Sequence, residues 1–171
     1  RTVPVTETFG LLADLMQGRK QNSEKLKQIQ NKLSGANRFS SVGRGNLGAQ
    51  LSKVCNILSK GVNIPVLKVA IGSFDTHSEQ FWRHRDLLRE LDESLYETVQ
   101  ALQNIGIWND TVIMTYSEFG RRAAENGSRG TDHGMAAPHF LMGGKLKGGF
   151  VGKVPNLGRL RNNNLEFEID Y

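Results

Sequence analysis

The chain has 171 residues, 38% hydrophobic and 23% charged, with a formal charge of +5. That balance fits a globular protein with a packed core and excludes a wholly disordered one. No apolar run approaches the ~20 residues that cross a bilayer, no signal-peptide pattern opens the sequence, and the single cysteine, Cys55, excludes an intrachain disulfide.

The positive charge is concentrated near the start. Residues 1–60 carry ten Lys/Arg against three Asp/Glu, and the remainder carries twelve against fourteen. Without interleaved aromatics or a nucleic-acid motif, the basic stretch reads as a solvated helical face with a basic loop. In "ETFGLLADLMQGRKQNSEKLKQIQNKL", Phe9, Leu12, Leu15 and Met16 form one helical stripe, and Leu26, Ile29 and Leu33 another. "SGANRFSSVGRGNLG" reads as a loop. Leu47, Leu51, Val54, Ile57 and Leu58 then recur at helical spacing, with Gly61 as the stop. Cys55 lies on the apolar face of that helix as a packing residue.

"PVLKVAIG" reads as a buried strand, and "SFDTHSEQ" follows it directly. The segment 78–105 reads as a long helix. One face carries His84, Leu87, Leu88, Leu91, Leu95, Val99 and Leu102, the other Arg85, Arg89, Glu90, Glu93 and Glu97, and Gly106 ends it. "TVIMTY", Thr111 to Tyr116, reads as a second buried strand, followed by "SEFGRR" and, after "GTDHG", by a third apolar run, "HFLMGG". Strand, long helix, strand predicts a right-handed crossover between parallel strands, hence an α/β sheet with ligands beyond the strands' carboxyl ends. Asp75, His77, Glu118 and Arg121 are expected at that rim.

Each polar cluster has two readings. Asp75 and His77 are two residues apart and project to the same side of an extended segment, while Thr76 and Glu79 have the form of a capping box. Glu118 leaves a strand as a carboxylate needing a partner or as a helix N-terminal acid. Arg121 and Arg122 suit an anionic substrate group, phosphate or sulfate, or a plain surface role. Residues 119–131 form a long polar loop that ends in Asp132 and His133 between glycines. Asp75, His77, Glu118, Asp132 and His133 together offer O and N donors of the kind that hold zinc or manganese. His139 is a further ligand or a strand-start residue, and His84 reads as a core histidine.

"SFDTHSEQ", "SEFGRR" and "NGSRGTDHG", in this order, closely resemble a bacterial family of uncharacterised proteins, a domain of unknown function, in the alkaline phosphatase and sulfatase superfamily. The resemblance covers about residues 46–160. It implies a partial alkaline-phosphatase-like α/β sheet with flanking helices over 46–171, preceded by a basic, mainly helical segment over 1–45. It also implies a divalent metal (zinc, manganese or calcium) held by Asp75, His77, Glu118, Asp132 and His133, and a small anionic phosphate or sulfate ester as substrate beside Arg121 and Arg122. Members commonly carry a twin-arginine export signal, which implies a periplasmic or exported protein. Two departures stand out. Glu118 and Phe119 occupy the place where the superfamily has Asp and His, and no nucleophile with its metal-ligating Asp precedes Asp75. The resemblance therefore implies a C-terminal part of a longer protein, with the nucleophile upstream of Arg1, inactive by itself; the alternative is an exported binding or assembly protein that keeps the fold without catalysis.

Overall fold

The computed structural model of the chain describes residues 5–167 and 169. Three helices, α1 (Val5–Leu33), α2 (Gly45–Ser59) and α3 (Gln80–Ile105), are followed by a 3-10 turn at Trp108–Asp110. Four short strands complete the order: β1 (Val112–Met114), β2 (Gly120–Arg121), β3 (His133–Gly134) and β4 (Leu141–Gly143). β1 pairs antiparallel with β4, and β2 antiparallel with β3, in two separate two-stranded sheets. The chain is thus mixed α/β. Among the described residues no helix is long and apolar enough to cross a membrane.

α1 carries the basic N-terminal stretch, and the part of its stripe read at Phe9 and Leu12 lies outside the residues whose side chains are described. Its C-terminal end is tied to the end of α2: Lys60 Nζ donates to the carbonyls of Leu33 and Gly35, and Lys32 Nζ donates to that of Gly61. Gly61 and Gly106 end their helices as read from the sequence. Both have positive φ, and their N–H groups donate to Leu58 O and to Leu102 and Gln103 O.

The core lies between α2 and α3. Val42, Leu47, Leu51, Cys55 and Ala101 are buried together, with Phe39, Val69, Ile71 and Leu91 packed against them. The buried face of α3 is Ser94, Thr98, Ala101 and Leu102, whereas Leu88 is exposed. This face is rotated from the leucine stripe because its small residues admit the turn before α2: a Cβ on Gly43 would fall 2.4 Å from Ser94 Oγ. The N–H groups that open a helix need acceptors, and α3 supplies them. Glu90 Oε1 accepts from Leu47 N at 2.9 Å, Ser94 Oγ accepts from Arg44 N, and Glu97 accepts from Gly43 N. Glu90, read on a solvent face, thus caps α2, and the exposed Glu97 holds the turn before it. Glu93 pairs with Arg89 at 2.7 Å and with Arg44 at 3.6 Å.

The sheet differs most from expectation. "PVLKVAIG" belongs to no strand among the described residues. Ala70 exchanges both backbone hydrogen bonds with the Gln50 side chain, so a helix side chain stands where a strand neighbour would. "TVIMTY" narrows to Val112–Met114, and Val112 and Met114 are exposed rather than buried. Among the described residues the parallel crossover is therefore absent, because β1's ladder goes to β4, in antiparallel register with Ile113 opposite Met142. One face of that ribbon, Val112, Met114 and Leu141, is open to solvent.

Candidate metal centre

The loop 119–131 is not structureless. β2 and β3 make it a hairpin in which Arg121 and His133 are register partners. Arg122 N donates to Asp132 O at 3.0 Å and Asn126 N to Gly130 O at 2.8 Å, carrying the pairing toward the tip. The tip then docks on the "DTH" segment and on the start of α3. Glu79 N and Gln80 N donate to the carbonyls of Ser128 and Arg129, so these backbone carbonyls open α3 and the expected Thr76–Glu79 capping box does not form. Thr76 is buried, and its hydroxyl faces Phe74 O. Gly130 is required at the contact, since a Cβ there would lie 2.3 Å from the His77 carbonyl carbon.

This docking brings Asp75, His77 and His133 together. His133 Nε2 lies 2.8 Å and His77 Nε2 2.9 Å from the same oxygen, Asp75 Oδ1. One ligand atom from each residue lies within 4.8 Å of the others. Zinc bound at roughly 2.0–2.1 Å sets tetrahedral ligand atoms about 3.3 Å apart. Widening the two Asp75–imidazole contacts by about half an ångström reaches that spacing, so the residues fit a divalent metal. All three are exposed, which leaves room for a further ligand from solvent.

Arg121 spends its guanidinium on the scaffold. It donates to Phe74 O at 2.7 Å, to Thr131 O, and to Asp75 Oδ1 at 3.1 Å. It also lies over the Phe119 ring, which in turn stacks on His133 at 4.0 Å between centroids. Phe119 is thus a spacer between guanidinium and imidazole. Arg122 is more open, 3.9 Å from Asp132 Oδ2, and its buried Nε has no hydrogen-bond partner. Asp75 is held below the ordinary carboxylate range, first by its hydrogen bond to His133, against desolvation and with help from His77 and Arg121. Asp132 is lowered first by its hydrogen bond from Asn126. Both carboxylates therefore stay ionised, as a cation site requires.

The other sequence candidates fall elsewhere. Glu118 is exposed and does not join the cluster; its charge acts on Lys68, whose ammonium sits over the Tyr116 ring. Asp132 lies 3.6 Å from His77 Nδ1, on the side of the ring away from Asp75. His139 Nδ1 lies 3.1 Å from Thr115 O, and Phe140 N donates to Thr115 Oγ1, the contacts of a residue entering β4. His84 packs edge-on to Phe74, with desolvation lowering its pKa. Asn126 was not singled out by sequence reading, yet it hydrogen-bonds both His77 O and Asp132 Oδ1. Its signal was the Asn-Gly pair at Asn126 and Gly127, a turn dipeptide whose asparagine side chain bonds two residues on.

No curated protein and no solved structure matches the chain. A family model described as "Protein of unknown function (DUF1501)" matches residues 13–166, and the chain belongs to that family.

Proposed function

We propose that Asp75, His77 and His133 hold a divalent transition-metal ion, zinc or manganese, as part of a hydrolytic site for phosphate or sulfate esters. The observation that carries this reading is the convergence of two imidazole Nε2 atoms on one aspartate oxygen at 2.8 and 2.9 Å. Two nitrogens and one carboxylate with an open side is a donor set used by hydrolytic zinc sites. When bound, such an ion acts as a Lewis acid and lowers the pKa of a coordinated water. The ester class rests on the resemblance of "DTH", "SEFGR" and "NGSRGTDHG" to the phosphatase and sulfatase superfamily. Arg122, whose guanidinium is partly exposed and only 3.9 Å from Asp132 Oδ2, is the residue we assign to the anionic group. Arg121 serves the site differently, by fixing Asp75 and the Phe74 and Thr131 backbone.

The reading includes a C-terminal part of a longer, exported α/β protein. The chain exposes 13370 Å², whereas a compact monomer of 19.0 kDa exposes about 8400 Å². Exposed Val112, Met114 and Leu141 on one ribbon face are what a further packed layer of a larger domain would cover. The competing reading, a binding protein without catalysis, is favoured by the engagement of Arg121 with backbone carbonyls.

Metal analysis after equilibrium dialysis tests the first part. The chain retains one zinc or manganese ion per molecule, and Asp75→Ala or His133→Ala loses it; no stoichiometric ion, or equal retention by the variants, contradicts the assignment. Hydrolysis of nitrophenyl phosphate or sulfate by the longer protein, abolished by His133→Ala, separates enzyme from binding protein.

A further inference from the structure

The two nitrogens of His77 face two carboxylates. Nε2 lies 2.9 Å from Asp75 Oδ1 and Nδ1 lies 3.6 Å from Asp132 Oδ1. The lone pairs of an imidazole diverge, so an ion held by Nε2 with Asp75 lies on the opposite side of the ring from Asp132. A metal-bound histidine usually presents its other nitrogen to a carboxylate, carbonyl or water, which fixes the tautomer and the ring plane and raises the ligand's basicity.

Asp132 is itself held in place. Asn126 Nδ2 donates to Asp132 Oδ1 at 3.1 Å and to the His77 carbonyl at 3.0 Å. Asn126 Oδ1 accepts from Ser128 N at 2.9 Å and from Gly130 N at 3.1 Å. Both N–H groups and both lone pairs of the amide are used, so its orientation is determined: a flipped amide would lose all four bonds. One side chain thereby joins the backbone of His77, the carboxylate facing its ring, and the turn that carries that carboxylate.

Resting on the assignment of Asp75, His77 and His133 as ligands, we propose that Asp132 and Asn126 are positioning residues. Asp132 orients His77 through Nδ1, Asn126 fixes Asp132 and the His77 backbone, and neither touches the ion. This separates Asp132 from the ligand set in which the sequence places it.

Cobalt(II) titration of the full 171-residue chain tests the proposal, because the visible spectrum of bound cobalt reports ligand number and type separately from affinity. The wild type binds one ion, and His133→Ala either loses it or shows a different saturated spectrum. Asp132→Asn and Asn126→Ala bind roughly 10- to 100-fold more weakly, yet reach the wild-type spectrum at saturation. Matching melting temperatures of the metal-free proteins separate positioning from loss of fold, and Asp132→Asn, half-buried and isosteric, tests the role if Asn126→Ala does not fold. A changed saturated spectrum in Asp132→Asn would make Asp132 a ligand and overturn the proposal, as would wild-type affinity in both variants. A wild type that binds no cobalt would instead overturn the metal assignment on which the proposal rests.

Discussion

The α2–α3 interface and the hairpin rim fix their side chains by opposite means. Between the helices, Cys55 and Ser94 are fully buried and position follows from excluded volume. At the rim, Asp75, His77 and His133 have side chains about half exposed, and position follows from hydrogen bonds and ring stacking. The comparison teaches that stability and site geometry reside in different residues. Carbon removed from the helix pair should destabilise the whole chain, whereas a lost rim partner should loosen the site at small cost in stability.

Four changes break or sharpen that contrast. Leu51→Ala, inside the buried cluster, should cost about 2–5 kcal/mol in urea unfolding, while the metal affinity of the molecules that remain folded stays unchanged. Arg121→Gln removes a half-buried guanidinium that spans two backbone carbonyls and Asp75. Its cost should be about 1–3 kcal/mol, with a clear loss of zinc affinity in calorimetry, making it the exception in which both properties fall together.

Cys55 gives a pH-dependent difference within the helix pair. Burial pushes its thiol from 9.0 up to about 11, so the folded state keeps its proton after the unfolded state has lost it. The contribution to stability is intact below pH 9.0 and is lost as pH rises toward about 11. The urea midpoint of the wild type should therefore fall more than that of Cys55→Ala over this window. Smallest is Glu90→Gln, which weakens the carboxylate cap on Leu47 N. About 0.3–1 kcal/mol should be lost, reduced by added salt and without effect on metal affinity.

The helices were largely legible in the sequence because periodicity and glycine stops act locally. Gly61 and Gly106 ended helices as read, and Cys55 packs as its apolar face predicts. The buried face of α3 was read in part: Leu91 and Leu102 of the leucine stripe do reach the core, but Ser94, Thr98 and Ala101 pack by being small, which a leucine-counting pattern misses. The strands were misread for a different reason. An aliphatic run such as "PVLKVAIG" encodes extended backbone and not its partner, and here Gln50 takes the neighbour's place at Ala70. Asp75, His77, Asp132 and His133 were singled out from residue type, order and, for the last two, glycine setting, and the structure brings them close together. Which imidazole nitrogen meets which carboxylate was not legible, because it depends on the docking of the hairpin on the "DTH" segment. Asn126 escaped notice since an asparagine in a turn looks the same whether or not its amide supports a neighbouring site.

The central claim is that one ion sits between Asp75, His77 and His133. Anomalous diffraction at the zinc edge from crystals of the zinc-loaded chain tests it most directly. The account predicts one strong peak at roughly 2.0–2.1 Å from Asp75 Oδ1 and from the Nε2 atoms of His77 and His133, with Asp132 on the far nitrogen of His77. A peak coordinated elsewhere, or none at stoichiometric zinc, would contradict it.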